Sequence, residues 1–185
     1  MSEVVRLTLV SHAMTDAMAV GRFPVDEELN ALGRRQLDEL DVGTADMALC
    51  GPEVRARQSA ELLGLRARVD ARLADLDCGR WRGMGLDMVE PDLLTLWLTE
   101  PARGPHGGES IVEMITRVRG WLADISRTPG RTVAVTHPAV IRAVILNALD
   151  APPKSFWRVD VAPASCTTLH FRGMAWTLRS GSDHR

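Results

Sequence analysis

The stretch Val4-Val-Arg-Leu-Thr-Leu-Val-Ser-His-Ala-Met-Thr15 decides how the rest of this 185-residue sequence is interpreted. Its first part is rich in valine and leucine, a composition typical of a buried β-strand. The strand is predicted to end at Ser11, which places His12 at its carboxyl-terminal edge. In open α/β sheets, ligands bind at that edge. A single histidine at a strand end is more often structural, so the interpretation depends on the motifs that follow it.

The composition is that of an ordinary globular domain, with 45% hydrophobic and 25% charged residues. The length predicts one domain, residues 1–185, with a substantial core. A net charge of −2 and the lack of a basic stripe predict neither a nucleic-acid partner nor a membrane partner. Three widely spaced cysteines without a Cys-x-x-Cys pair argue against a disulfide framework and a zinc site. Without a signal-peptide pattern or a long apolar run, a cytoplasmic location is expected.

Apolar spacing and turn residues predict that strands alternate with helices along the chain. This alternation predicts an α/β fold, a three-layer sandwich whose mainly parallel central sheet is covered by helices on both faces. Beyond the first strand, the pattern predicts a loop over 16–30 and strands over 46–50, 66–70, 131–136, 156–161, 165–171 and 174–178. It predicts helices over 29–40, 53–63, 87–98, 110–125 and 139–149.

Two more motifs place cationic or imidazole side chains at the same predicted edge of the sheet. His137 follows a central strand and directly precedes a helix, with Pro138 at a favourable first helical position. Arg55 lies in the first turns of the helix that follows the second strand. A helix N-terminus offers free N–H groups and partial positive charge, which suit a phosphate. The three groups together indicate a phosphate-handling site.

These motifs, in order along nearly the whole chain, resemble those of the histidine phosphatase superfamily, the phosphoglycerate-mutase-like proteins. The family's Gly-Gly-Glu-Ser is present unchanged as 107–110. The family's Arg-His-Gly, followed two residues later by threonine, resembles Ser11-His12-Ala13 with Thr15, and its Ser/Thr-His-Gly resembles Thr136-His137-Pro138. Its Ser-Pro-x-x-Arg-Ala-x-Gln-Thr-Ala resembles residues 51–60, and its Leu-x-Glu-x-x-x-Gly-x-Trp-x-Gly resembles residues 73–83.

The resemblance implies a phosphoglycerate-mutase-like fold and hydrolysis of a small phosphate ester without a metal or other cofactor. His12 would attack phosphorus and form a phosphohistidine. Asp75 would protonate the leaving group and later accept a proton from water. Arg55 and His137 would stabilise the equatorial oxygens. Segments 16–30 and 87–108 would form a cap, and the implied phosphate-binding set is Ser11, Thr15, Arg55, His137 and Pro138.

The main departure from the family pattern is Ser11, which stands where the family has an arginine. Losing one donor to a developing oxyanion costs about 3 kcal/mol, or about a hundredfold in rate. Arg22 or Arg82 could restore the charge and give an active phosphatase. Alternatively, the protein binds a phosphorylated ligand or partner without turnover. A phosphoglycerate-type mutase is a third alternative, although such proteins are usually longer, and a homodimer formed through the terminal strands is left open.

Overall fold

One six-stranded sheet forms the centre of the computed structural model, which describes residues 4–181. The strands are β1 (Val5–Ser11), β2 (Met47–Cys50), β3 (Arg68–Val69), β4 (Gly130–Thr136), β5 (Cys166–Arg172) and β6 (Ala175–Arg179). Their order across the sheet is β3-β2-β4-β1-β5-β6. The first four strands in this order are mutually parallel, and β5 is antiparallel to both of its neighbours.

Six helices accompany the sheet: α1 (Asp16–Ala19), α2 (Ala31–Asp38), α3 (Val54–Leu62), α4 (Pro91–Thr99), α5 (Ile111–Ile125) and α6 (Pro138–Ala148). Leu7 and Leu9 of β1 belong to the core cluster that includes the buried faces of α5 and α6. Val10 points to the opposite face, where it shares a smaller cluster with Ala60 of α3. The alternation of side chains along β1 therefore separates two helical layers, and the predicted three-layer α/β sandwich is confirmed.

Local sequence explains where the two long helices begin. Ser110 is the N-cap of α5, and its hydroxyl accepts a hydrogen bond from the Glu113 N–H while the Glu113 carboxylate accepts one from the Ser110 N–H. This reciprocal capping box satisfies two of the free donors at the helix start. Pro138 is the first residue of α6, so the helix begins directly after His137.

The strand predicted over 156–161 is wrong, because Pro153–Arg158 forms a 3₁₀ helix instead. Pro152 and Pro153 fix two φ angles and supply no N–H, and the Ser155 N–H donates to the Pro152 carbonyl. The apolar residues of this segment serve packing, since Phe156 is completely buried. The loop predicted over 16–30 contains the short helix α1.

The two segments expected to form a cap are held together by an aromatic cluster. Phe23, from the first segment, lies with its ring centroid 5.3 Å from that of Trp81 and 5.5 Å from that of Trp97, which belongs to α4. Backbone hydrogen bonds link Phe23 to Gly83 and Met84. None of the helices within residues 4–181 is long and apolar enough to cross a membrane.

Candidate active site

The carboxyl ends of two neighbouring parallel strands bring His12 and His137 together. Ser11 of β1 is paired with Thr136 of β4, so the next residue of each strand is a histidine at the same edge of the sheet. The His12 N–H donates to the Thr136 carbonyl at 2.8 Å. The two imidazole rings lie with their centroids 5.1 Å apart in an edge-to-face arrangement. The sheet register thus creates the histidine pair that the sequence predicts.

His12 is buried and holds one ring nitrogen free of hydrogen. Its Nδ1 lies 2.8 Å from the Ala13 carbonyl oxygen, which can only accept, so this hydrogen bond assigns the proton to Nδ1. Nε2 then carries the lone pair and accepts from the Arg55 Nε–H at 3.3 Å. Burial, together with the charges of His137 and Arg55, lowers the pKa of His12 to about 3. At neutral pH, His12 is therefore unprotonated, and the lone pair on its Nε2 faces Arg55.

Arg55 is the central cation of the site and is only 2% exposed. Besides His12, its guanidinium donates to Asp75 Oδ2 at 2.6 Å and to the Val25 carbonyl at 2.9 Å. It also lies 3.9 Å from Glu27 Oε2. Arginine can make these contacts together because its planar fork carries five donors in fixed directions. Arg55 therefore joins the predicted nucleophile, the predicted acid and the segment 16–30.

Asp75 is a carboxylate in the free protein. Burial would raise its pKa, but the charges of His137 and Arg55 and the hydrogen bond from Arg55 lower the pKa to about 2. Its Oδ1 accepts from the Leu76 N–H, and its Oδ2 lies 3.4 Å from His137 Nδ1. A group that is to protonate a leaving alkoxide must therefore first gain a proton as the substrate binds.

His137 is completely buried and has a carboxylate oxygen near each ring nitrogen. Its Nε2 is 2.7 Å from Glu53 Oε2, and its Nδ1 faces Asp75. Sequence reasoning missed Glu53. An acidic residue at the start of a helix is usually explained by its interaction with the helix dipole. Nothing in the local sequence therefore indicates that Glu53 contacts a histidine 84 residues away.

Gly51 leaves the space in which this histidine–carboxylate pair forms. A Cβ atom at this position would lie 2.8 Å from the Leu73 carbonyl oxygen, 3.0 Å from His137 Nε2 and 3.1 Å from Glu53 Oε2. The Leu73 carbonyl in turn accepts from the Thr136 hydroxyl at 2.7 Å. A larger residue at 51 would push on three groups of the site at once, so the glycine is required by close approach.

Of the remaining phosphate-binding residues predicted, Ser11 and Thr15 are completely buried beside His12, and Pro138 opens α6. Among residues 4–181, the one hydrogen bond of the Ser11 hydroxyl goes to the His12 carbonyl, at 3.5 Å. The Thr15 hydroxyl donates to Glu27 Oε1 at 3.2 Å and accepts from the Met18 N–H. The Glu27 carboxylate therefore accepts the hydrogen bond of the Thr15 hydroxyl, which is expected to bind phosphate.

The two arginines predicted as replacements for the missing cation lie elsewhere. Both Arg22 and Arg82 are exposed. Among residues 4–181, neither side chain forms a hydrogen bond or an ion pair with His12, Asp75 or His137. The structure thus brings His12, Arg55, Asp75 and His137 together and adds Glu27 and Glu53, which makes the free site rich in negative charge. Within the same residues, no group of three or more histidine, cysteine or acidic side chains is suited to holding a metal ion.

Residues 7–184 match the histidine phosphatase superfamily (branch 1). The chain belongs to this superfamily. The match spans the motifs at both strand ends, and the expected family and fold are confirmed.

The relatives of this chain include two bacterial phosphatases. Phosphoserine phosphatase 1 of Hydrogenobacter thermophilus is 28% identical over 183 residues, which cover 90% of this chain and 87% of the relative. Glucosyl-3-phosphoglycerate phosphatase of Mycobacterium tuberculosis is 29% identical over 170 residues, covering 80% of this chain and 76% of the relative. A solved mycobacterial glucosyl-3-phosphoglycerate phosphatase in complex with VO3 superimposes with a TM-score of 0.84 at 27% identity, over 94% of this chain and 96% of that one.

Proposed function

We propose that this chain is a metal-independent phosphomonoesterase that acts on a small phosphorylated metabolite through a phosphohistidine at His12. The observation that carries the proposal is the neutral, buried His12, whose Nε2 lone pair faces Arg55 and lies beside His137. The names of the relatives, which specify phosphoserine and glucosyl-3-phosphoglycerate, support a small phosphate ester as the substrate.

In the first step, His12 Nε2 attacks phosphorus in line with the ester oxygen. The N–P bond forms as the P–O bond breaks, and the electron pair leaves with the alkoxide, which takes a proton from Asp75. The phosphoryl oxygens replace Nε2 as acceptors of the Arg55 donors. Arg55 and His137 are then placed to stabilise the equatorial charge.

Substrate binding itself would prepare Asp75 as the acid. A phosphoryl dianion competes for the Arg55 guanidinium, whose hydrogen bond to Asp75 is one cause of that carboxyl's low pKa. It also places negative charge near the carboxylate, and both effects favour the protonated form. In the second step, Asp75 takes a proton from water, the water oxygen attacks phosphorus, and the N–P bond breaks to regenerate His12.

Hydrolysis of 4-nitrophenyl phosphate between about pH 4 and pH 8, with and without EDTA, tests the proposal, since this range brackets carboxylate and histidine titration. We expect turnover that EDTA leaves unchanged. Activity that EDTA abolishes and added metal restores would contradict metal independence. Silence across the whole range would contradict the proposed activity on such esters.

One observation favours a second candidate function, the binding of a phosphorylated ligand without turnover. Ser11 is completely buried and contributes no charge beside His12. If the missing cation limits catalysis, Ser11→Arg should raise kcat/KM for the aryl phosphate by about a hundredfold. Ser11→Met, of similar length but uncharged, controls for the inserted volume. Thermal unfolding of both variants identifies any loss of the fold.

A wild-type protein without phosphatase activity, together with an active Ser11→Arg variant, would support the binding of a phosphorylated ligand without turnover. A folded Ser11→Arg variant whose activity is unchanged or lower would instead show that the charges of the native site are sufficient for catalysis.

A further inference from the structure

The Glu53 carboxylate bridges two groups of the site that the family motifs place far apart in the chain. Its Oε2 lies 2.7 Å from His137 Nε2, and its Oε1 accepts from the Asp75 N–H at 2.9 Å. The side chain is 19% exposed, so water screens the contact with His137 only partly. One carboxylate therefore touches both the second histidine and the backbone of the predicted acid.

The usual role of an acidic residue at this position does not explain the geometry. Glu53 is the N-cap residue of α3, yet its side chain makes no capping hydrogen bond. It reaches instead across the end of the sheet, through the space that Gly51 leaves open. A structural N-cap would keep its carboxylate on the first turn of its own helix.

The contact determines which nitrogen of His137 carries the proton in the neutral ring. Because Glu53 can only accept, Nε2 donates to it, and Nδ1 is left buried with no hydrogen-bond partner among residues 4–181. The groups around the ring are Glu53 at Nε2, Asp75 at 3.4 Å from Nδ1, and the His12 ring at 5.1 Å with Arg55 behind it. Nδ1 can donate to a phosphoryl oxygen only when the ring carries both protons.

We propose that Glu53 is a positioning residue that orients His137 Nδ1 toward the bound phosphoryl group and keeps the ring doubly protonated while that group is present. This inference rests on the proposed function and deepens it. The protonated ring supplies, beside Arg55, a second positive charge at a site where Ser11 supplies none. The carboxylate stabilises that charge as the acidic partner of a catalytic histidine does.

The carboxylate remains ionised over the range in which this charge matters. Burial raises the pKa of Glu53, but its hydrogen bond to His137, the charge of that ring and the N–H of Asp75 bring the pKa below its ordinary value. A glutamine at this position can keep its amide oxygen as an acceptor for Nε2, but its NH2 group then faces the Asp75 N–H. The change therefore removes the charge and one accepted hydrogen bond, and only the loss of charge is expected to depend on pH.

The test compares Glu53→Gln with wild type from pH 5 to pH 8, using kcat/KM for 4-nitrophenyl phosphate and the binding of inorganic phosphate by calorimetry. We expect both quantities to fall about tenfold or more at pH 8, by analogy with the loss found for carboxylate partners of metal-ligating histidines. Because a lower pH favours the protonated form of an imidazole, the loss should be smaller at pH 5 than at pH 8. Glu61→Gln, an exposed change of the same kind on α3, should match wild type throughout.

A purely structural role would lower both quantities by the same factor at every pH, and that result, or an unchanged profile, would overturn the inference. The binding of inorganic phosphate tests the role of Glu53 separately from the proposed catalytic function. A wild-type protein that binds phosphate without hydrolysing esters contradicts the proposed function, while the pH dependence of binding in Glu53→Gln still decides the role of Glu53.

Discussion

His12→Ala is expected to lower kcat for an aryl phosphate by about 10⁴-fold or more, because the variant removes the atom that forms the covalent intermediate. In wild type, rapid quenching with ³²P-labelled substrate should trap phosphate on the protein. The label should be lost in acid and survive in alkali, as expected for an N–P bond. Neither activity nor label should remain in the variant, since no other described histidine has its Nε2 beside Arg55.

The matched control is His184→Ala, which removes a histidine outside the described residues and should retain both turnover and label. Thermal unfolding of His12→Ala shows whether the buried site has collapsed. A folded His12→Ala protein that still becomes labelled would contradict His12 as the nucleophile.

Arg55→Ala has the second-largest expected effect and acts on both catalysis and stability. Loss of the donors to the phosphoryl oxygens should reduce kcat/KM by about 10³-fold. Removal of a guanidinium that is 2% exposed also leaves the Asp75 carboxylate partly buried without its cation. Breaking a buried pair in this way costs about 3 kcal/mol in the free energy of unfolding. Urea denaturation and steady-state kinetics measure the two effects separately.

Two further variants distinguish the two contributions of Arg55. In Arg55→Ala/Asp75→Asn, the carboxylate charge disappears with its partner, so much of the stability should return while the activity stays low. Arg55→Lys keeps a charge but not the fork that reaches His12, Val25 and Asp75 together, and we expect about a hundredfold loss in kcat/KM. An Arg55→Ala protein with wild-type kinetics would contradict the phosphate-binding role of Arg55.

In the protein without substrate, carboxylates contact the groups that are expected to bind phosphate. Glu27 contacts both Thr15 and Arg55, and Asp75 takes the shortest hydrogen bond of the guanidinium. An incoming phosphate ester must displace these contacts, and in doing so it transfers Arg55 from the carboxylates to the phosphoryl oxygens. This exchange links substrate binding to the protonation of Asp75 in the mechanism proposed above.

The sequence was sufficient to predict the fold class and the meeting of His12 and His137 at one edge of the sheet. Hydrophobic runs that alternate with helical spacing predicted the sheet and its two helical layers, because burial on both faces of a parallel sheet requires such runs. His12 and His137 each follow such a run. Since the carboxyl ends of parallel strands share one edge, their proximity followed from the pattern before their register was known.

The contacts between side chains were decided only by the tertiary structure. Glu53 meets His137 across 84 residues, and Glu27 reaches Arg55 from the segment 16–30. No local pattern encodes these contacts, because each depends on the path of a loop and on the space left by a distant residue such as Gly51. The strand predicted over 156–161 is wrong for a local reason, since Pro152 and Pro153 begin a 3₁₀ helix over Pro153–Arg158. Periodicity reports which residues are buried, whereas the charge and protonation of a site depend on which buried groups become neighbours.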